Sequence, residues 1–519
     1  MPAALDIAAL PDDPALLRAM LVGVMAERDG LEAQNDRLRH LLLKLQRLQF
    51  GRKSERLPED QLQLALADIE TAIARDEAEA ERNSDTLRQA RIARRRASRG
   101  ALPAHLPRVE VLLEPEQQAC PCCQARLVRI GEDAAERLDV IPAQFRVLVT
   151  RRPKYACRAC DGVVLQAPAP PRLVEGGLPT EATVAHALVA RYADHLPLYR
   201  QAQIIARQGV LLDRSTLTAW VGQASAEIAP VVRRLREILL GSARLYADET
   251  VVPVLDPGRG QTRQGYFWAI ARDDRPWGGT DPPGVVYRYA PGRGREHARA
   301  LLGDYRGILQ CDGYAAYKSL LPPAANAGPA LLATCWSHVR RRFYDLAQSK
   351  AAPIAEESLR RIAALYAIEA EIRGQPPSQR LTARASRSAA LVHDLFAWFA
   401  QQLARLPGRS LTADAIRYAL NQREGLLRFL EDGRVDLDTN PVERAIRPIA
   451  LSRKNALFAG SDEGGENWAA IASLIETCKL NAVDPQRYLT DLLTRLVNRW
   501  PKARIDELMP WCWATTSPR

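Results

Sequence analysis

Gly307-Ile308-Leu309-Gln310-Cys311-Asp312-Gly313 reads as a short buried strand that ends on a carboxylate and breaks at a glycine. Upstream of it, Leu245–Asp248, Val251–Leu255, Tyr266–Ala271 and Val285–Tyr289 read as successive strands parted by Gly, Pro and Asp turns, and Glu296–Leu302 as a helix. Downstream, Leu331-Leu332-Ala333-Thr334-Cys335-Trp336 forms one more strand before the pattern turns helical.

Hairpin strands, helix, strand, helix is the order of a ribonuclease-H-like α/β core. In that layout the first and fourth strands lie side by side, so Asp248 and Asp312, each at or near a strand end, converge. Two adjacent carboxylates repel, and they ionise together readily only when cations neutralise them, which suits Mg²⁺ or Mn²⁺. Two such ions about 3.5 to 4 Å apart can activate a water or a 3′-hydroxyl and stabilise the oxygen that leaves. Glu249 follows Asp248 on the strand and should face the other way, so one of the two serves the site; the stretch before the expected strand turn favours Asp248.

A third acid would hold the second ion. Glu443 stands in Asp438-Thr439-Asn440-Pro441-Val442-Glu443-Arg444-Ala445-Ile446-Arg447, where Asn440 can cap a helix and Pro441 fits its first position. Spacing alone favours Glu443 as a capping-box acid or the partner of Arg447 over a metal ligand, and Asp436, Asp438 and Glu249 compete for the metal role. Cys335 and His338 have the spacing of half a metal site with no second half in sequence, which favours a structural role. Arg340, Arg341 and Arg342 read either as phosphate contacts or as an exposed helix face. From Lys350 to about Gly433 the chain is helical and rich in Ala, Leu and Arg, an all-α insertion placed to wall in bound DNA.

Cys120-Pro121-Cys122-Cys123 and Cys157-Arg158-Ala159-Cys160 supply two Cys-x-x-Cys knuckles, and Cys120, Cys123, Cys157 and Cys160 together complete a closed four-sulfur Zn²⁺ site, with Cys122 spare. Between them Arg146–Val149 alternates like a strand of a zinc-ribbon-like domain. Leu17, Leu21, Val24, Leu31, Leu38, Leu42 and Leu45 mark a short heptad seam with Asn35 on it, read either as a coiled-coil oligomerisation arm or as a helix packed on its own chain. Arg94, Arg95 and Arg96 sit in a basic block after an acidic stretch, which is either a DNA-backbone arm or a neutralised solvated face. Gln201–Gln208, Gly209 and a second helix capped by Ser215, carrying Thr216, Thr218 and Trp220, read as a helix-turn-helix. Over 519 residues a net charge of +11 points weakly to a polyanionic partner. No apolar run approaches a membrane span and no signal-peptide layout opens the chain, which predicts a cytoplasmic protein with no membrane partner.

Longer stretches carry a resemblance. Leu48-Gln49-Phe50-Gly51-Arg52-Lys53-Ser54-Glu55, the paired cysteine knuckles, Tyr192–Tyr199, Cys311-Asp312-Gly313-Tyr314, Asn440–Arg444 and Arg453-Lys454-Asn455-Ala456-Leu457-Phe458-Ala459-Gly460-Ser461 resemble the insertion-sequence-66 family of bacterial transposases over nearly the whole chain. The resemblance implies a DDE triad of Asp248, Asp312 and Glu443, which sets aside the capping-only reading of Glu443. It also implies metal-dependent strand cleavage and strand transfer, recognition of terminal inverted repeats, a homo-oligomer, element-encoded accessory proteins, and residence on the nucleoid when bound to DNA. Arg444, Arg447, Arg453 and Lys454 are then candidates for holding flanking phosphates. The expected division is 1–57 coiled-coil helix, 58–112 linker, 113–170 zinc-binding domain, 171–238 helix-turn-helix, 239–349 and 436–498 catalytic core, 350–435 insertion and 499–519 tail.

Overall fold

The computed structural model describes residues 13–25, 28, 84–98, 107–110, 112, 122–124, 144–156, 164–256, 261–318, 330–348, 352–456 and 458–516. The chain forms two units, Met1–Ala143 and Gln144–Arg519. In the first, residues 14–25 are helical with Leu17, Leu21 and Val24 exposed, while Leu31, Asn35, Leu38, Leu42 and Leu45 of the heptad seam lie outside the described residues. Arg94, Arg95 and Arg96 fall on the helix Asp85–Ser98.

In the second unit a two-stranded ladder, β1 (Lys154–Ala156) and β2 (Val164–Gln166), pairs antiparallel with Ala156 opposite Val164. This corrects the expected strand at Arg146–Val149, which is not in a strand; pairing occurs immediately either side of the second cysteine knuckle instead.

The five-stranded sheet has the order β5-β4-β3-β6-β7, formed by β3 (Arg244–Asp256), β4 (Gln261–Arg272), β5 (Gly284–Ala290), β6 (Ile308–Cys311) and β7 (Leu331–Thr334). β3, β4 and β5 are antiparallel neighbours, whereas β6 runs parallel to both β3 and β7. The two strands expected at Leu245–Asp248 and Val251–Leu255 are one strand. Glu249 and Thr250 look like an interruption, but their backbones pair with Trp268 and Phe267 and the ladder runs on without a turn. β6 is wholly buried between two parallel partners, and its one polar side chain, Gln310, is satisfied by the Asp436 and Asp438 carbonyls.

Helices cover the sheet. The helix Asp462–Leu480 packs on β5, where Ser473 Oγ and Thr477 Oγ1 accept the Tyr287 and Val285 N–H groups. The helix Arg214–Leu240 spans 27 residues and carries Leu217, Trp220, Val221, Ala224, Ile228, Val231, Leu235 and Leu239 into the same core as the sheet, so the helical segment from Glu181 is continuous with that core rather than separated from it near 238. Between the second and third expected acids, the insertion residues Ile362, Leu365, Phe396, Phe399 and Ile416 share a second core with Ile308 of β6, Ala333 of β7 and Phe343, with Phe343 and Phe399 stacked at 5.3 Å. A buried ionic knot ties it to the sheet: Glu369 pairs with Arg384 at 2.7 Å and Arg380 at 3.1 Å, and Asp436 with Arg380 at 2.8 Å and Arg244 of β3 at 3.2 Å.

Candidate active site

Register brings the first two acids together. β3 and β6 run parallel with Tyr246 beside Gln310, so two residues further along each chain stand Asp248 and Asp312. Asp312 lies just beyond the end of β6, where Gly313 takes a φ of 75° that turns the chain away, and the Tyr314 N–H donates to Asp312 Oδ1 at 2.9 Å. The insertion supports the same loop, because the Tyr418 hydroxyl donates to the Asp312 carbonyl at 2.9 Å and Gln422 Nε2 to that of Gly313 at 3.2 Å.

Asp248 is held by one backbone donor, the Glu249 N–H at 2.8 Å, and its carboxyl is pushed up to about 8 by burial, by the neighbouring carboxylates Glu249 and Asp312, and more weakly by Glu443. Three carboxylates therefore bear on Asp248. Glu249 is occupied otherwise: Arg293 grips its Oε1 at 2.8 and 2.5 Å and the Tyr317 hydroxyl donates to Oε2 at 2.8 Å. No strand turn separates the two residues, and what distinguishes them is that Glu249 is engaged by Arg293 and Tyr317 while Asp248 has only the Glu249 N–H.

Asp436 is consumed by the ionic knot and also accepts from the Tyr246 hydroxyl. Asp438 caps the following turn, its Oδ1 accepting from the Asn440 N–H at 3.2 Å, and burial raises its pKa. Both carbonyls accept from the buried Gln310 amide, at 2.6 and 2.9 Å, which fixes the 436–438 segment beside β6.

The helix Asn440–Ala456 begins one residue earlier than the sequence suggested: the Thr439 carbonyl accepts from the Val442 and Glu443 N–H groups, so Thr439, not Asn440, stands at the cap. Glu443 Oε1 lies 2.8 Å from the Thr439 hydroxyl and 4.0 Å from His338 Nδ1. The Tyr287 hydroxyl donates to the Ala445 carbonyl at 2.5 Å and anchors this helix to β5. Sequence reasoning missed that Cys335 and His338 meet Glu443: the three donor atoms lie within 4.8 Å of one another. Burial pushes the Cys335 thiol up to about 12.

Of the expected DNA contacts, Arg444 and Arg447 are exposed on the Glu443 helix, and Arg453 and Lys454 belong to its last turns. Ser215 and Thr218 are exposed at the start of the second helix of the pair, Thr216 is half-buried, and Trp220 is core rather than surface. The cap there is Asp213, whose Oδ1 accepts from the Ser215 N–H at 2.7 Å, which corrects the assignment of Ser215. Gly209 does supply the turn, at φ 81°. Arg340, Arg341 and Arg342 are exposed, with Arg342 4.0 Å from the centre of the Tyr418 ring. Cys123 is exposed, and Cys120, Cys157 and Cys160 lie outside the described residues. Among the described residues no helix is long and apolar enough to cross a membrane.

Comparison with known proteins bears on this arrangement. Residues 176–467 match the model of the transposase IS66 family, which takes in Asp248, Asp312 and Glu443, and residues 473–511 match the IS66 C-terminal element. The zinc-finger binding domain of transposase IS66 matches residues 117–161, which hold all four knuckle cysteines, and the model named transposase C of IS166 homeodomain matches residues 37–111. The uncharacterized protein y4qI of Sinorhizobium fredii (strain NBRC 101917 / NGR234) is 44% identical and aligns over 98% of each chain. From the same organism, uncharacterized proteins y4jD and y4hP are 43% and 36% identical, covering 90% and 91% of this chain and 93% and 88% of their own lengths.

Proposed function

The chain belongs to the IS66 transposase family, and on that premise we propose that it cuts and rejoins DNA at the ends of an insertion sequence by a DDE mechanism with Asp248, Asp312 and Glu443 as the metal-holding acids. The observation that supports this reading most is the parallel register of β3 and β6, which sets Asp248 and Asp312 on neighbouring strands, while Glu443 on the Asn440–Ala456 helix adds, after Glu249 and Asp312, to the charge that opposes ionisation of Asp248. The strand order β5-β4-β3-β6-β7, antiparallel on one side and parallel on the other, supports a ribonuclease-H-like core.

The donor set fits hard divalent cations: carboxylate oxygens, half-buried, mutually repelling, and in the case of Asp248 without a cationic side chain paired to it among the described residues. Mg²⁺ or Mn²⁺ bound there would supply Lewis-acid polarisation of a phosphodiester and activation of the attacking hydroxyl. The protein's own groups arrange the rest. Arg293 and Tyr317 engage the Glu249 carboxylate beside the site, Gln310 locks the approach to the Glu443 helix, and Arg444 and Arg447, with Arg453 and Lys454, offer positive charge to flanking phosphates. Cys120, Cys123, Cys157 and Cys160 hold a structural Zn²⁺, a reading supported by the zinc-finger match and by the β1–β2 ladder that brackets the second knuckle. Arg94, Arg95, Arg96, Ser215, Thr216 and Thr218 contribute to recognition of the terminal repeats, and the exposed Leu17, Leu21 and Val24 serve self-association. Accessory proteins encoded by the element would join the complex.

The test separates an enzyme from a DNA-binding regulator of the same build. Wild type and Asp312→Asn are incubated with labelled duplex carrying the element's end, and binding and nicking are read on the same samples. Metal-dependent nicking by wild type alone, with equal end binding, is expected. Wild type that binds the ends and never cuts in Mg²⁺ or Mn²⁺, with the accessory proteins present, would leave only the regulator.

A further inference from the structure

The carboxylate site has a neighbour of different chemistry. Cys335 follows β7 as the cap of the next helix, which Trp336 begins with its N–H fixed to the Leu437 carbonyl at 2.7 Å. That geometry places His338 on the first turn of the helix, facing the Asn440–Ala456 helix that carries Glu443. The sulfur, imidazole and carboxylate donor atoms fall within 4.8 Å of one another.

The hydrogen bonding around them is incomplete. The Thr439 hydroxyl lies 3.3 Å from Cys335 Sγ and 2.8 Å from Glu443 Oε1. A hydroxyl has one proton, so it satisfies the carboxylate only if the thiol supplies the proton of the other contact. His338 Nδ1 is buried with no hydrogen-bond partner, and its 4.0 Å to Glu443 Oε1 is too long for one. Among the described residues the Tyr366 hydroxyl is a second buried polar atom without a partner; burial is the main cause that raises its pKa, followed by Asp438, with Cys335 and Glu443 adding less. Buried polar groups are normally paired, and two orphans beside one thiol and one carboxylate mark a place built for something more.

Donors around a tetrahedral zinc ion stand roughly 3.3 to 3.8 Å apart, given metal distances of about 2.0 Å for nitrogen or oxygen and 2.3 Å for sulfur. The observed spread closes to that by small side-chain rotations. A sulfur, a nitrogen and an oxygen select zinc-class ions over Mg²⁺, which demands oxygen.

We propose that Cys335, His338 and Glu443 form a second metal site, for a zinc-class divalent ion, joined to the cutting site through Glu443. Three protein donors leave a fourth position open to water or to the Tyr366 hydroxyl. The site itself does not depend on the DDE reading. Its consequence does: an ion held there engages Glu443, so micromolar Zn²⁺ would oppose Mg²⁺-dependent cutting.

The experiment uses the full chain given one equivalent of zinc, which the four-cysteine knuckles take first, then titrated with Co²⁺. Wild type should develop a thiolate-to-cobalt band together with the visible bands of a tetrahedral ion. Cys335→Ser should lose the thiolate band, His338→Gln should bind cobalt roughly 100-fold more weakly, and Asp248→Asn should bind it as wild type does. His338 is half-exposed, so its variant keeps the test decisive if Cys335→Ser folds poorly. A wild-type spectrum without the thiolate band, or equal cobalt affinity in His338→Gln, overturns the site. A missing band with Mg²⁺-dependent cutting intact removes this site alone, and a present band without cutting removes the catalytic reading alone.

Discussion

Asp436→Asn strikes the knot that joins the insertion to the sheet. The carboxylate is buried between Arg380 at 2.8 Å and Arg244 at 3.2 Å and accepts from the Tyr246 hydroxyl, while Glu369 is already shared by Arg380 and Arg384. Asparagine keeps the shape and one acceptor but removes one negative charge, so that Arg244, Arg380 and Arg384 are left to share Asp274, 3.6 Å from Arg244, and Glu369 away from water. Breaking a buried pair in this way costs about 3 to 5 kcal/mol, and the retained acceptor puts the variant near the lower end. With an unfolding entropy of about 2 cal/mol/K per residue over a unit of roughly 370 residues, about 3 kcal/mol lowers Tm by about 4 °C. Burial works to raise the Asp436 pKa, but Arg244 and Arg380 outweigh it and the net shift is downward. A depressed folded-state pKa gives stability that is complete above the unfolded value, about 3.9, and is lost as pH falls through the folded one. Thermal melts of wild type and variant should therefore differ by about 4 °C at pH 7 and converge as pH falls below about 4. A gap under about 1 °C at neutral pH, or one that does not change in acid, would refute the assignment of this knot as an ionic brace.

Three further outcomes follow from the site. Asp248, with its carboxyl at about 8, holds a proton at neutral pH, and through this group the metal-free protein loses stability as pH rises from about 4 toward 8 because only the unfolded chain ionises freely. A bound cation must displace that proton, so the Tm rise given by Mg²⁺ should grow between pH 6.5 and 8.5 in wild type and show no such growth in Asp248→Asn; equal rises at both pH values would count against the acid's role. Gly313→Ala forces a side chain into φ 75° with its Cβ 2.7 Å from Gln422 Nε2, and should cost about 1 to 2 kcal/mol while displacing Asp312 enough to slow cutting; unchanged cutting in a correctly folded variant would show that this turn does not set the site. Replacing Arg444 or Arg447 with Gln should weaken end binding alike on all sequences and reduce the salt slope by about 1 each, as measured by titration at several salt concentrations; a sequence-selective loss would instead place them on bases.

The sheet was legible where local punctuation reports it. Gly, Pro and Asp turns bracket β4 and β5, and the short Ile308–Cys311 stretch ending at Asp312-Gly313 reads as a buried strand despite its one polar residue, Gln310. β3 was misread as two strands because Glu249 and Thr250 are polar, whereas its continuity is dictated by eleven consecutive pairings with β4 that no local pattern reveals. The convergence of Asp248 and Asp312 follows from topology once that order is assumed. Helix starts were off by one or two positions at Thr439 and Asp213, since several neighbouring residues can cap and only the backbone chooses among them. The meeting of Cys335 with Thr439, 104 positions apart, left no trace in spacing. The Ala-, Leu- and Arg-rich helical stretch gave no sign that Arg380 and Arg384 are buried; they are so because Glu369 on one helix and Asp436 on the segment before the Asn440–Ala456 helix neutralise them.

The claim that Asp248, Asp312 and Glu443 act as one metal-dependent cutting site is tested most directly by single-turnover cleavage of duplex carrying the element's end, in Mg²⁺ and in Mn²⁺. Wild type is compared with Asp248→Ala, Asp312→Ala and Glu443→Ala, each checked for equal end binding. The account predicts cutting by wild type that depends on the cation and disappears in all three variants. Cutting that survives any one of those substitutions would contradict it.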